Sequence, residues 1–301
     1  MTDNVEINKS LFNEAGRYII VTAMRNEINT VETTIRSVLS QTEPPKAWII
    51  LDDGSTDGST DIVNNYAIQY PWIISIALPD RGFDLVGKGV ADLLNYGFNL
   101  IADIDVEFVS KLDADLYLAQ DYFEYLLAEM DNNPLLGIIS GHPYIMKNGR
   151  KVFERHSSYF PSGTARLYRY RFLQEIGPFV SSLGWDTVDI LRMRIRGYTT
   201  KVSTTLYVHH IRPMGTRQGH FDGMTRDGRN NYITGYYRLF FLLRALYSAR
   251  YFPFIVRTVC MLYGYARAER LKLPLAVSDE EHLYHINLQR NRLGLRSRDK
   301  L

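Results

Sequence analysis

Apolar positions follow two different periods along the first 115 residues. Four short runs are nearly continuous and rich in β-branched residues: Tyr18-Ile19-Ile20-Val21-Thr22-Ala23, Ala47-Trp48-Ile49-Ile50-Leu51, and the stretches 72–77 and 106–112. Such runs predict strands buried on both faces of a parallel sheet. Between the first two, Val31, Ile35, Val38 and Leu39 fall at i, i+4, i+7 and i+8, one face of a helix that must end before Pro44-Pro45. Asn29 with Glu32 three residues on predicts a capping box at its start. A polar helix is predicted over 59–67. Val90, Leu93, Leu94, Gly97, Phe98 and Ile101 keep helical spacing over a third. The βαβαβ order implies right-handed crossovers, and ligands of such sheets bind at the carboxyl ends of the strands. Thr22, Asp52-Asp53 and Asp113-Ala114-Asp115 all lie at or just after strand ends, so one fold gathers them along one edge.

The remainder is less regular. Strands are predicted at 137–141 and 199–208, and helices at 169–175 and 187–196. From about 231 to 270 the chain becomes aromatic and basic, with Arg238, Arg244, Arg250 and Arg257 spaced six or seven residues apart among aliphatic residues. No stretch long and uncharged enough for a spanning helix occurs there. Two helices are expected instead, lying on a membrane surface or packed on the catalytic body or on a second subunit. The expected division is 1–225 for a catalytic domain and 226–301 for a basic, aromatic helical region.

Composition narrows the class. Apolar residues at 46% and charged residues at 23% are those of a globular enzyme and exclude a disordered chain. The single cysteine, Cys260, excludes an intrachain disulfide or a cysteine-based zinc site and is expected to be a buried small hydrophobe. The polar start, 1–16, lacks the pattern of a signal peptide, so a reduced, cytoplasmic protein is expected. The net charge of +2 conceals an asymmetry. Residues 1–200 carry 18 basic against 26 acidic side chains, net −8; residues 201–301 carry 17 against 7, net +10. The tail therefore suits an anionic partner. Nucleic acid is not expected, because the arginines stand among aliphatic helices and beside no base-reading motif.

Two carboxylates at i, i+2 directly after an apolar strand, Asp113 and Asp115, can hold a hard cation through oxygen and place it against a diphosphate. Asp52-Asp53-Gly54-Ser55-Thr56-Asp57-Gly58 reads either as a helix-start turn or as a source of carboxylates that accept hydrogen bonds from a base or ribose. Asp186 reads either as the N-cap of the helix over 187–196 or as a catalytic base. Asp189, one turn on, is expected to help that helix start.

Several motifs together resemble the family 2 glycosyltransferases, which have the GT-A fold. They are Thr22-Ala23-Met24-Arg25-Asn26-Glu27, Leu51 to Thr60, Gly87-Lys88-Gly89 with Asn95, Leu112-Asp113-Ala114-Asp115 and Gly184-Trp185-Asp186, in the family's order. The later His209-His210-Ile211-Arg212-Pro213-Met214-Gly215 and the basic tail resemble bacterial members that build exopolysaccharides or lipid-linked oligosaccharides. The resemblance implies an α/β fold with a Rossmann-like, mostly parallel sheet flanked by helices and a C-terminal helical extension. It implies a nucleotide-sugar pocket formed by Thr22, Glu27, Asp52, Asp53, Lys88, Asp113, Thr164 and Arg212. Asp115 would hold Mg²⁺ or Mn²⁺, joined by one of His209 and His210. Successive strand residues face opposite ways, and His210 is favoured because it is paired with Arg212. Asp186 matches the catalytic base, although Trp185 stands where the family often has Glu. Arg217 is a further candidate for the donor diphosphate or an acceptor phosphate.

The expected activity is inverting, metal-dependent transfer of a hexose from a nucleoside-diphosphate sugar, UDP-linked by preference, to a glycan or lipid-linked acceptor. A homodimer and peripheral attachment to the inner face of the cell membrane are further expectations. Two other readings compete. A nucleotidylyltransferase would need a glycine-rich phosphate loop where Met24-Arg25-Asn26-Glu27 stands, and a non-enzymatic sugar-nucleotide scaffold would not need intact Asp113, Asp115 and Asp186.

Overall fold

Alternate residues of the first strand, Tyr18 and Ile20 against Ile19 and Val21, are wholly buried on opposite faces of one sheet, as a strand period of two requires. The computed structural model describes residues 7–82, 87–154, 159–212, 220–250 and 254–299. Its first half runs β1 (Tyr18–Met24), α1 (Val31–Leu39), β2 (Ala47–Asp53), α2 (Ser59–Gln69), β3 (Ile73–Leu78), α3 (Lys88–Leu100) and β4 (Phe108–Leu112). Its second half runs β5 (Leu116–Leu118), α4 (Tyr122–Asn132), β6 (Leu136–Lys147), β7 (Arg150–Phe153), β8 (Ala165–Arg169), α5 (Tyr170–Ile176), α6 (Trp185–Ile195) and β9 (Thr199–His210). Then follow α7 (His220–Ile233), α8 (Arg238–Ser248), α9 (Ile255–Arg270) and α10 (Asp279–Arg292).

The strands described form one sheet of order β3-β2-β1-β4-β8-β6-β9-β5, with β7 paired to β6. The half β3-β2-β1-β4 is parallel throughout, as the βαβ order demands. Beyond β4 the sheet is mixed: β8 is antiparallel to β4 and β6, while β9 is parallel to β6 and antiparallel to β5. Side chains of α1 and α4 bury one face, with Val31, Ile35, Phe123 and Leu126 against Tyr18, Ile20 and Trp48. Side chains of α3, α5 and α6 bury the other, with Leu93, Phe172 and Ile190 against Ile19, Ile49 and Tyr168.

Two local expectations, the capping box at Asn29 and the enclosed Cys260, need correction. No capping box forms at Asn29; Thr30 occupies the N-cap of α1 without a side-chain hydrogen bond, and Glu32 accepts from Arg36 one turn on. The two helices expected over 231–270 are present as α8 and α9, and α8 is set off from α7 by Gly235, whose φ of 69° lies in the left-handed region. Cys260 is half-buried rather than enclosed. The expected boundary at 225 falls inside α7, so a continuous helix joins the two regions.

The C-terminal helices return to the body. Ser278 and Glu281 form a complete capping box for α10, and Glu281 also accepts from Arg192 of α6 at 2.7 Å. Between them, α8 and α9 form an antiparallel hairpin. Phe241 stacks on Tyr265 with ring centroids 4.1 Å apart, and Thr258 Oγ1 donates to Ala245 O at 2.8 Å.

Candidate active site

The loops after β1 and β2 are stitched together by the very residues that make the acidic motif recognisable. Asn26 N donates to Ser55 Oγ at 2.9 Å, and Thr56 N returns a bond to Asn26 Oδ1 at 2.8 Å. Glu27 N donates to Ser59 Oγ at 2.7 Å, and Ile28 N to Asp57 Oδ2 at 3.0 Å. Asp52 accepts from Ser55 N and Oγ at 2.9 and 2.6 Å and from Thr60 Oγ1. Asp53, wholly buried, takes a two-point ion pair from Arg81, with Nη2 to Oδ2 at 2.8 Å.

The turn Asp113-Ala114-Asp115 links β4 to β5 and is clamped from α1. Thr34 Oγ1 donates to Ala114 O at 2.9 Å and accepts from Leu116 N at 3.0 Å. Strand β9 runs antiparallel beside β5 with Leu116 opposite His210, which brings the end of β9 to the same turn. His210 Nε2 lies 3.3 Å from Asp115 Oδ2, and its Nδ1 lies 2.9 Å from Glu154 Oε2. Arg212 donates to both oxygens of Glu27 at 2.7 and 2.9 Å and to Asp115 Oδ2 at 3.0 Å. Burial opposes the imidazolium of His210, but the hydrogen bonds and charges of Asp115 and Glu154 push its pKa up to about 10. Burial likewise raises Asp115, yet the bond from His210 and the charges of His210, Arg212 and Lys111 outweigh it and hold the carboxyl below its ordinary value.

The third group comes from α6. Its N-cap is Gly184, not Asp186. The φ of Gly184 is 77°, and a Cβ there would lie 2.2 Å from Thr234 Cγ2, so only glycine fits. Asp186 therefore stands in the first helical turn with its carboxylate against Gly163, where an added Cβ would come within 3.0 Å of Oδ2. Arg166 of β8, wholly buried, holds this corner: it donates to Asp186 O at 2.8 Å, Pro161 O at 2.6 Å, Ser162 O at 2.8 Å and Asp189 Oδ2 at 2.6 Å. Asp189 thus belongs to a buried ion pair, reinforced by the Tyr168 hydroxyl at 2.7 Å, and does not help α6 start. The Gly163-Thr164 segment ties this corner to the acidic turn. Thr164 O accepts from Asp113 N at 2.9 Å, and the Lys111 ammonium donates to both Gly163 O and Asp113.

The strand ends thus bring Glu27, Asp113, Asp115, Thr164, His210 and Arg212 together, and Gly163 connects them to Asp186. Lys88 is at the exposed N-terminal end of α3, donating to Asp92 at 3.1 Å and Ser181 at 2.6 Å. Thr22 departs from expectation: it is wholly buried and its hydroxyl accepts from Trp48 Nε1 at 2.9 Å, so its side chain packs the core beneath the edge. His209 faces away and stacks on Tyr144 with centroids 5.1 Å apart. Arg217 lies outside the described residues. Sequence reasoning missed Glu154, Lys111, Arg81 and Arg166. Only Lys111 carried a signal, being two residues from Asp113 and so on the same side of the strand.

The donor set suits a small divalent ion. Among the described residues no cluster of three or more His, Cys, Asp or Glu side chains forms a metal cage. Magnesium-type sites are commonly built from one or two protein ligands completed by substrate phosphates. Asp115 Oδ2 and His210 Nε2, 3.3 Å apart as an ion pair, could both ligate such an ion only if it displaced the proton of Nε2, because a metal takes the neutral ring. Glu154 behind Nδ1 is the partner that orients a ligating histidine.

The α/β sheet is flanked by helices on both faces and gathers its acidic strand ends at one edge. The description Glycosyl transferase family 2 matches residues 19–185, more than half of the chain, and the protein belongs to that family. It is a glycosyltransferase, which sets aside the nucleotidylyltransferase and scaffold readings. The poly-beta-1,6-N-acetyl-D-glucosamine synthase of Staphylococcus epidermidis is 35% identical over 124 residues, 41% of this chain and 27% of that protein. The corresponding synthase of Staphylococcus aureus strain MSSA476 is 30% identical over 123 residues, again 27% of its length. The chain thus matches about a quarter of these relatives. Among solved structures, a mannosyltransferase of Pyrobaculum calidifontis in complex with GDP-Man and Mn²⁺ superposes with a TM-score of 0.56 at 15% identity, covering 85% of this chain and 74% of that one. Residues 1–349 of S. aureus TarS in complex with UDP-GlcNAc give 0.53 at 16%, covering 94% and 93%. These likenesses show the GT-A fold.

Proposed function

We propose that the protein catalyses inverting transfer of a hexose, N-acetylglucosamine by preference, from its UDP derivative to a hydroxyl of a glycan or lipid-linked acceptor in cell-surface polysaccharide synthesis. The observation that carries this reading is the connection of two chemically distinct groups across one short segment. The turn that carries Asp115, which His210 meets, is bonded to Thr164 O through Asp113 N, and the Asp186 carboxylate lies against Gly163. The names of the synthase relatives favour the sugar, and they favour polysaccharide as the product class.

Glu27, Asp52, Asp53, Lys88, Asp113, Thr164 and Arg212 surround the nucleoside and sugar of the donor in this reading. Asp115 and His210 would hold Mg²⁺ or Mn²⁺, and the ion would supply positive charge against a departing diphosphate. Asp186 accepts the proton of the acceptor hydroxyl as its oxygen bonds to the anomeric carbon and the carbon–oxygen bond to the diphosphate breaks. A carboxylate suffices as base because the hydroxyl becomes far more acidic in an oxocarbenium-like transition state. Arg166 fixes the backbone that carries Asp186.

Thermal shift tests the donor site. UDP with Mn²⁺ is expected to raise the melting temperature by mass action, more than GDP, dTDP or CDP, and Asp115→Asn is expected to lose the metal-dependent part. An equal response to all four nucleotides, or none to UDP, would contradict the donor assignment.

A further inference from the structure

The helical hairpin α8–α9 buries one side and leaves the other apolar. On α8, Leu239, Leu242, Leu243 and Leu246 recur at i, i+3, i+4 and i+7 and are each 43–62% exposed. On α9, Ile255 and Val259 continue the pattern at 69% and 57%. This is the spacing of a helix face made for contact, yet the contacts of the hairpin core run through Phe241, Ala245, Met261 and Tyr265 on its other side. Contiguous exposed apolar area on this scale marks an interaction surface.

Charge distinguishes the occupants. Residues 238–270 carry six arginines against one glutamate. Arg238, Arg244, Arg267 and Arg270 are exposed on the same two helices, and Arg250 is exposed in the turn after α8. A second copy seated on this stripe through a two-fold seam would bring like charges together. An anionic bilayer takes up the leucines and pairs with the guanidinium groups at headgroup level. No helix among the described residues is long and apolar enough to cross a membrane, so the hairpin would lie in the interface.

We propose that the α8–α9 hairpin is a membrane-docking surface that binds anionic phospholipid bilayers through its exposed leucine stripe and flanking arginines. The surface reaches the candidate active site through α7. Gly228 of α7 is packed so closely on α9 that a Cβ there would lie 1.9 Å from Met261 O. Further along, Asn230 of α7 and Thr234, just past its last residue, crowd Gly184, the N-cap beside Asp186. Docking would therefore hold the acceptor side of the site at a fixed height above the lipid, where a lipid-linked acceptor is presented. The docking claim itself stands on the hairpin and is independent of the donor reading.

Vesicle co-sedimentation of the full chain tests it, using phosphatidylcholine vesicles with and without phosphatidylglycerol. Binding is expected only when phosphatidylglycerol is present and is expected to weaken with salt. The triple variant Leu242→Glu/Leu246→Glu/Val259→Glu, changed only at exposed positions, is expected to keep its far-ultraviolet circular dichroism. It should bind at least about tenfold more weakly, since burial of a single leucine changes a binding constant by more than that. Equal binding by variant and wild type, or no binding to phosphatidylglycerol vesicles, would overturn the proposal. Sedimentation velocity supplies the other arm: self-association that the triple variant abolishes, without vesicle binding, would assign the stripe to a second copy instead.

Discussion

His210 Nε2 faces Asp115 Oδ2 across the β5–β9 pair at 3.3 Å, while Glu154 holds the opposite ring nitrogen at 2.9 Å. The imidazole is therefore aimed at the acidic turn with a carboxylate on its opposite nitrogen. Replacing Glu154 with Gln keeps the shape and removes the charge that makes the ring a better ligand. The expected outcome is Mn²⁺ binding weakened about tenfold or more in the presence of UDP, read by calorimetric titration, with nucleotide affinity in the absence of metal unchanged. Unaltered Mn²⁺ affinity would remove His210 from the metal-binding set.

Arg166 and Asp189 form a wholly buried ion pair, and burial holds the Tyr168 hydroxyl well above its usual range so that it stays a donor to the same carboxylate. Removing one member leaves the other charge stranded. Arg166→Met is expected to destabilise the fold by about 3–5 kcal/mol in urea unfolding, and the double variant Arg166→Met/Asp189→Leu by less than the single one. A double variant as unstable as the single would show that packing, not the stranded charge, is the cost.

His285 Nδ1 donates to Thr234 O at 2.7 Å, and its Nε2 accepts from Gln289 Nε2 at 2.7 Å. Both nitrogens are committed in the neutral ring, and burial lowers its pKa to about 4 from an ordinary 6.5. The unfolded chain binds the extra proton first as pH falls. The contribution to stability is thus complete above about pH 6.5 and is lost progressively towards pH 4, by up to roughly 3 kcal/mol. Measured as the difference between wild type and His285→Asn, which removes ring titration common to no other group, stability should converge as pH drops through this window. A constant difference from pH 7 to pH 4 would contradict the account.

Helices α7 and α9 touch backbone to backbone. A Cβ on Gly264 would lie 2.0 Å from Thr225 O. Gly264→Ala is expected to force the helices apart at a cost of about 1–3 kcal/mol, whereas Ala266→Ser on the exposed side of α9 should change stability by under about 0.5 kcal/mol. Equal, small effects of both would mean that the helices separate without loss.

The parallel half of the sheet was legible because its strands are buried on both faces and its helices keep one apolar stripe. Tyr18–Ile20 and Ile19–Val21 divide cleanly between two cores. The mixed half was not, since β5 is only three residues and β7 is exposed throughout, so neither carries a burial period. Helix α4 was readable in principle: Tyr122, Leu126 and Met130 recur every four residues. Of the candidate site, the residues carrying charge at strand ends were found, but not the ones that hold them. Glu154, Arg81 and Arg166 lie 56, 28 and 20 residues from their partners His210, Asp53 and Asp186, a distance only the fold closes. Thr22 misled for the same reason: its position at a strand end was right, and its side chain faces Trp48.

Asp186→Asn offers the most direct measure of the proposed chemistry. The side chain keeps its size and its place against Gly163, but loses the ability to take a proton. Transfer from UDP-linked sugar is expected to fall by roughly 10²–10⁴-fold, while the affinity for UDP with Mn²⁺, measured on the same preparation, stays near that of the wild type. Transfer at the wild-type rate would contradict the assignment of Asp186 as base.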